Sequence, residues 1–244
     1  MTPANQLKEA TKKLIKELKK IPLSELTEDP VTVVYNPLEY AWDCHAQYIE
    51  KYGNSKKKIL LLGMNPGPWG MAQTGIPFGE IEAVKGWLNI DAAVTKPKTE
   101  HPKRPIEGLD CKRSEVSGRR LWGLFKEGFN QPGHFFKDFF VANYCPLVFM
   151  EESGRNRTPD KLSAQLRKQL FDICDGHLKD IVTILEPQLL LGVGRFAEKQ
   201  AQKALIGMDI TIGTILHPSP ASPAANKDWA GKATEQFKNY NIKI

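Results

Sequence analysis

The stretch Lys58-Ile59-Leu60-Leu61-Leu62-Gly63-Met64-Asn65-Pro66-Gly67-Pro68-Trp69-Gly70 decides the fold. Its first half is short, continuously apolar and rich in branched residues. It stops at glycine and proline, which predicts a strand buried on both faces. In open parallel sheets, ligands sit in the crevice beyond the carboxyl ends of such strands. A second run of the same kind, Ile210-Thr211-Ile212-Gly213-Thr214-Ile215-Leu216, ends in His217-Pro218-Ser219-Pro220. The chain thus sets an amide, Asn65, and an imidazole, His217, at two strand exits. Proline and glycine stiffen both loops, as a preorganised site requires.

Outward from these runs, apolar strands and amphipathic helices alternate. Upstream, Thr2–Ile21 predicts a lysine-rich amphipathic helix, Val31–Tyr35 a short strand, and Tyr40–Tyr52 a helix closed by Gly53-Asn54. Between the two loops the pattern predicts a helix over Phe78–Ile90 and another around Gly118–Gly128. An apolar run follows over Phe139–Val148, interrupted by Asn143 and closing near Cys145-Pro146. A long helix over Pro159–Leu185 starts with proline in its first turn. Gln188–Val193 then predicts a strand, Arg195–Leu205 a helix and, after Ile210–Leu216, Asn226–Tyr240 the last helix. This alternation argues for a three-layer α/β fold around a central, mainly parallel four-stranded sheet. No repeat, low-complexity tract or composition break marks a boundary, so one domain over residues 1–244 is expected.

The chain has 244 residues, 41% of them hydrophobic and 25% charged, enough for an ordinary core. No uncharged apolar stretch approaches the length of a membrane-spanning helix. In Thr2–Ile21, Leu7, Leu14, Leu18 and Ile21 recur at helical spacing, ringed by Lys12, Lys13, Lys16, Lys19 and Lys20. That pattern suits a membrane surface or the solvated side of a packed helix, and the packed helix is the expectation. Cys44, Cys111, Cys145 and Cys174 form no C-x-x-C pair, so neither zinc nor an iron–sulfur cluster is expected. Scattered cysteines without a secretory leader predict reduced thiols in a cytoplasmic compartment, or a nuclear one in a eukaryote.

A net charge of +6 fits a polyanionic partner without requiring one. Between Lys96 and Arg120, eight basic residues face four acidic ones. Three prolines and two glycines make most of this stretch a loop. Lys112 and Arg113 within it are candidate phosphate contacts, and a solubilising surface loop is the alternative.

Asn143 adds a third polar side chain near a strand end. A buried amide offers an acceptor beside a donor, which matches the adjacent N3–H and O4 of a uracil ring. The alternative is a strand-ending amide bonded to backbone. Phe78, between Gly75 and Gly79, would stack on a planar ligand or would simply pack in the core. Taken together, Gly63 to Glu80 resembles the first motif of the single-strand-selective monofunctional uracil-DNA glycosylases, the SMUG family. His217-Pro218-Ser219-Pro220, with Pro223 and Ala225-Asn226-Lys227, resembles their second motif. Asn143-Tyr144-Cys145-Pro146-Leu147 and Arg113-Ser114-Glu115-Val116-Ser117-Gly118 are similar to further family segments. The likeness runs from about Asn36 to the last residue.

The resemblance implies a uracil-DNA glycosylase fold and excision of uracil from single- and double-stranded DNA. It also implies action on oxidised forms such as 5-hydroxymethyluracil, by a monomer without cofactor or metal. It would make Asn65 the holder of the attacking water and His217 the stabiliser of the departing base. Asn143 would read the uracil edge, Phe78 would stack on its face, and Met64 and Gly67 would line the region around C5. Pro218, Ser219, Pro220 and Ala221 would form a DNA-facing loop, with Lys227 close by.

The chemistry stands independently of that name. Breaking an N-glycosidic bond puts positive charge on the sugar and negative charge on the base, so donors aimed at the base are what help. Asn65 has no basicity near neutral pH and only orients water. Monofunctional behaviour requires that no lysine amine reach the sugar, which makes Lys227 the residue to check. Where relatives often carry an arginine after the second motif, this chain has Ala221-Ser222, and Trp69 stands where phenylalanine is common. A small Ala221 fills little of the gap left by a flipped nucleotide, which predicts either weaker handling of duplex than of single strands or a residue of the basic loop filling the gap instead. Two other readings compete. Gly192-Val193-Gly194-Arg195 would suit the phosphate turn of a nucleotide-dependent α/β enzyme, although the third glycine of that fingerprint is missing. A catalytically silent nucleic-acid binder would carry the same basic loop.

Overall fold

The apolar runs become strands in a computed structural model that describes residues 1–244. In chain order these are β1 (Val31–Tyr35), β2 (Ile59–Gly63), β3 (Phe139–Asn143), β4 (Val148–Glu151), β5 (Asn156–Arg157), β6 (Leu189–Val193) and β7 (Thr211–Ile215). Four of them form one sheet in the order β3-β2-β6-β7, with every neighbouring pair parallel. β2 is buried along its whole length, as its continuous apolar run requires.

Two glycines reveal the layers. Gly192 pairs with Thr214 across β6 and β7, so Gly192 and Gly213 face opposite sides of the sheet. A Cβ at Gly192 would strike backbone of Glu198 in the Arg195–Ala204 helix. One at Gly213 would strike the Tyr240 ring, just beyond the Pro223–Asn239 helix. Helices therefore cover both faces, which gives the three layers expected.

The Phe139–Val148 run does not stay in one sheet. Asn143 ends β3, and after Pro146 the chain re-enters as β4. That strand pairs antiparallel with β1 and with β5 in a separate three-stranded sheet.

Three helix boundaries also differ from the sequence reading, each for a local reason. Phe78–Ile90 is not one helix. Phe78 has a left-handed backbone (φ 54°), and a single wide turn forms later, at Ala83–Trp87, with Leu88 N–H donating to Ala83 O. The proline signal at 159 opens only a short Pro159–Lys161 turn. The long helix starts at Ala164, where Ser163 Oγ caps Leu166 N–H at 3.3 Å, and runs to Leu185. The last helix begins at Pro223, earlier than Asn226, because Ser222 caps it. It kinks at Asp228.

The N-terminal helix spans Pro3–Leu18 and packs against the Ala164–Leu185 and Trp42–Tyr52 helices. Leu7, Leu14 and Leu18 are buried there, while Lys12, Lys13, Lys16, Lys19 and Lys20 remain exposed. Its apolar stripe is thus enclosed by the fold. No helix is long and apolar enough to cross a membrane. All four cysteines are free and buried.

Candidate active site

Because the central sheet is parallel, the carboxyl ends of β2, β3 and β7 meet at one edge. Asn143 closes β3 in register with Gly63 of β2. Asn65 lies two residues past β2, and His217 two residues past β7. These three side chains converge, with Met64, Gly67, Phe78 and Ser219, on one cavity of about 350 Å³.

Hydrogen bonds fix which atom each side chain presents. Asn65 Nδ2 donates to Leu147 O at 3.2 Å, which leaves its carbonyl oxygen as the free end. Asn143 Nδ2 contacts only the Met71 sulfur, at 3.1 Å, and its Oδ1 is buried without any partner. An orphaned buried acceptor is costly unless a ligand supplies the donor. Gly63 allows this arrangement, because a Cβ there would collide with Asn143 Oδ1 and come within 2.7 Å of the Phe78 ring.

Phe78 is held in its strained backbone by neighbours that all use its carbonyl. Trp122 Nε1 donates to that oxygen at 3.0 Å and Glu80 N–H at 2.7 Å, and Gly118 gives it room. Strain of this kind persists only where surrounding structure enforces it, and it gathers at functional sites. The Phe78 ring lies 6.1 Å from the His217 ring, tilted by 45°. A flat ligand lying on Phe78 would therefore present its edge to the imidazole.

His217 Nδ1 accepts a hydrogen bond from Ser219 N–H at 3.0 Å. Burial pushes the imidazole down to about 4, so the ring is neutral around pH 7. With Nδ1 acting as acceptor, the proton must sit on Nε2, and the ring offers a donor to the cavity. Gly194, at φ 92°, backs this histidine, and a Cβ there would approach its own Cβ at 3.1 Å. Gly192 and Gly194 thus serve close packing, which accounts for the glycine turn without a nucleotide.

The second loop is braced from outside. Arg120 donates to Pro218 O and to Asn226 Oδ1, both at 3.0 Å, while Asn226 donates to Pro220 O at 2.7 Å. Pro218 is consequently buried, whereas Pro220 and Ala221 are exposed. Arg120 therefore supports the loop from within the basic stretch. Lys112 and Arg113 are exposed, and the Arg113 guanidinium lies 4.5 Å from the Trp69 ring centre, with Arg104 at 5.1 Å. Lys227 is exposed on the last helix, and no lysine lines the cavity.

Sequence reasoning gave no role to part of the lining: Glu115 and Ser117, which lie in the family-like segment Arg113–Gly118, and Asn156 and Thr158, which it did not single out. Asn156 donates to Pro66 O at 2.9 Å from a two-residue strand that no pattern announces. Gln73 was missed too. Fully buried, it accepts from Glu107 and Gly108 N–H and donates to Pro68 and Pro105 carbonyls, which ties the basic loop to the Gly63–Gly70 loop. No cluster of three or more His, Cys, Asp or Glu side chains is arranged to hold a metal ion.

Known proteins match this arrangement. The family model of the Uracil DNA glycosylase superfamily covers residues 50–243. The single-strand selective monofunctional uracil-DNA glycosylase of Rattus norvegicus is 50% identical over 216 residues, covering 88% of this chain and 78% of that one. The Bos taurus protein of the same name is 47% identical over 228 residues, covering 93% and 82%. The crystal structure of wild-type Pedobacter heparinus SMUG2 shares the fold, with a TM-score of 0.70 over 99% of both chains at 20% identity. With two thirds of each relative covered at such identity, the chain belongs to the uracil DNA glycosylase superfamily and, within it, to the single-strand selective monofunctional uracil-DNA glycosylases.

Proposed function

We infer that the cavity receives a uracil flipped out of DNA and that the enzyme hydrolyses its N-glycosidic bond, the first step of base excision repair. The observation that carries this reading is the convergence of Asn65, Asn143, Phe78 and His217 on one cavity, with Asn143 Oδ1 left unpartnered. That oxygen accepts the N3–H of uracil, and Nδ2 beside it donates to O4. A base with the opposite edge polarity leaves the amide unpaired and is rejected. Phe78 stacks on the ring. The Nε2–H of His217 donates to O2 and strengthens as negative charge grows there, so a neutral imidazole is enough.

Asn65 holds the water through its carbonyl oxygen, since its amino group is engaged by Leu147. No lysine amine lines the cavity, which fits hydrolysis without a covalent enzyme–sugar intermediate. Met64 and Gly67 border the C5 side. By the family likeness, small oxidised C5 groups such as hydroxymethyl are accepted as well, although the space directly over Gly67 is taken by the Glu115 carboxyl. Pro220, Ala221, Lys112, Arg113 and Lys227 meet the DNA backbone around the cavity mouth, with Pro218 and Ser219 shaping the loop. The enzyme acts as a monomer, and its free thiols suit a reducing cytoplasm or nucleus.

Incubation with a uracil-containing single-stranded oligonucleotide, with EDTA and no added nucleotide, tests this. Free uracil and an intact strand with an abasic site are expected. Binding without release would favour a silent binder instead.

A further inference from the structure

Glu115 is a cavity residue to which the roles above give nothing to do. It sits at the N-cap of the Val116–Phe129 helix, but its side chain makes no capping hydrogen bond. The carboxyl group reaches back against the Gly63–Gly70 loop instead. A Cβ on either Gly67 or Gly70 would collide with one of its oxygens. It lines the same cavity as Asn65 and His217.

The surroundings leave this carboxyl without a donor. Glu80, on the segment packed against it, already accepts from Ser114 Oγ at 2.7 Å and Ala83 N–H at 3.0 Å. Arg119 is directed to Ser114 Oγ at 3.3 Å, Arg113 and Arg104 to the Trp69 ring, and Arg120 to Pro218 O. His217, across the cavity, is neutral. Burial first, and the charge of Glu80 second, raise the Glu115 carboxyl to about 7.

Hydrolysis by water releases a proton that some group must take. Asn65 has no basicity, and the free lone pair of His217 is already engaged by Ser219 N–H. No lysine, tyrosine, cysteine or aspartate lines the cavity, which leaves Glu115 as its one strong proton acceptor. We propose that Glu115 is the general base for the water held by Asn65, a reading that rests on the cavity being the uracil-excision site.

The step balances. The water oxygen bonds to the sugar C1′, and one water proton passes to the Glu115 carboxylate. The C1′–N1 bond breaks, and its electron pair leaves with uracil as the N1 anion. Glu115 ends as the neutral acid and returns its proton to solvent or to the departing base.

The test is single-turnover uracil release, with enzyme in excess over a single-stranded oligonucleotide, followed across the neutral pH range. Wild-type enzyme is expected to speed up about tenfold per pH unit in acid and to level off above about pH 7. Glu115→Gln, which keeps the shape, is expected to be about 100-fold slower and flat with pH. Glu115→Asp recovers the slope in part. A Gln variant with the wild-type rate and pH slope overturns the proposal and leaves the glycosylase reading standing. Absence of release by the wild-type enzyme overturns that reading itself. If the Gln variant fails to fold, the wild-type profile decides, because a rate flat through neutrality is incompatible with this base.

Discussion

Asn143 shows how one unpartnered atom sets substrate choice. Its Oδ1 is buried and unbonded, and its Nδ2 donates only to the Met71 sulfur, a weak acceptor. The oxygen thus lacks a partner within the protein, and the amino group keeps a second N–H to offer. A ligand that presents N3–H beside O4 completes both. Replacing the amide with a carboxylate removes the donor and keeps the acceptor. We therefore expect Asn143→Asp to cut uracil excision by about 100-fold or more, since a buried acceptor pair at O4 costs at least about 3 kcal/mol. Release rates on matched uracil and cytosine oligonucleotides check this. An unchanged preference for uracil over cytosine would show that Asn143 does not read the base edge. His217 and Asn65 work by the same logic: Ser219 and Leu147 each occupy one end of the side chain and so dictate what the other end offers.

At the level of elements, the central sheet was readable because β2, β3 and β6 are almost wholly buried and appear as unbroken apolar runs. β7, at the sheet edge, is exposed at Thr211 and half-buried at Ile212 and Thr214, and so is not the fully buried strand its run predicts. The two loops that end β2 and β7 were readable too, since glycine and proline mark them sharply. The helix starts were less so. Pro159 signals a start, yet the helix begins after Ser163, whose hydroxyl reaches a backbone N–H. Phe78–Ile90 has helical spacing, yet the site requires Phe78 in a left-handed turn, a tertiary demand that no local pattern reveals. Asn156 carried no chemical signal because its place in the cavity comes from the second sheet. Glu115, although it lies in a family-like segment, received no role because nothing local shows that this helix start turns its carboxyl into the cavity. Gln73 looks like an ordinary polar residue in sequence but joins two loops through four backbone bonds. Gln73→Ala leaves those groups unpaired in a buried position, so a loss of about 3 kcal/mol is expected in urea unfolding. A loss under about 1 kcal/mol would mean that water replaces the amide and that Gln73 does not hold the basic loop in place.

For the whole molecule, the question is how a base reaches this cavity. The loop from His217 to Ala221 is braced by Arg120 and Asn226, yet its exposed tip carries only Pro220 and Ala221. Neither side chain fills the space vacated by a flipped nucleotide, and unstacking a paired base costs a few kcal/mol. Uracil in single strands is therefore expected to be released faster than uracil paired with adenine. Ala221→Arg is expected to narrow that gap by raising the duplex rate. Equal rates on both substrates, unmoved by the substitution, would show that another group such as Trp69 with its two arginines wedges the duplex. The central claim is that a water-orienting amide and a neutral imidazole, brought from two distant strand ends, act on one bound base. Single-turnover uracil release by wild type, Asn65→Ala, His217→Ala and the double variant measures it most directly. Each single change is expected to slow release by about 100-fold or more with oligonucleotide binding retained; wild-type release rates from both single variants would contradict it.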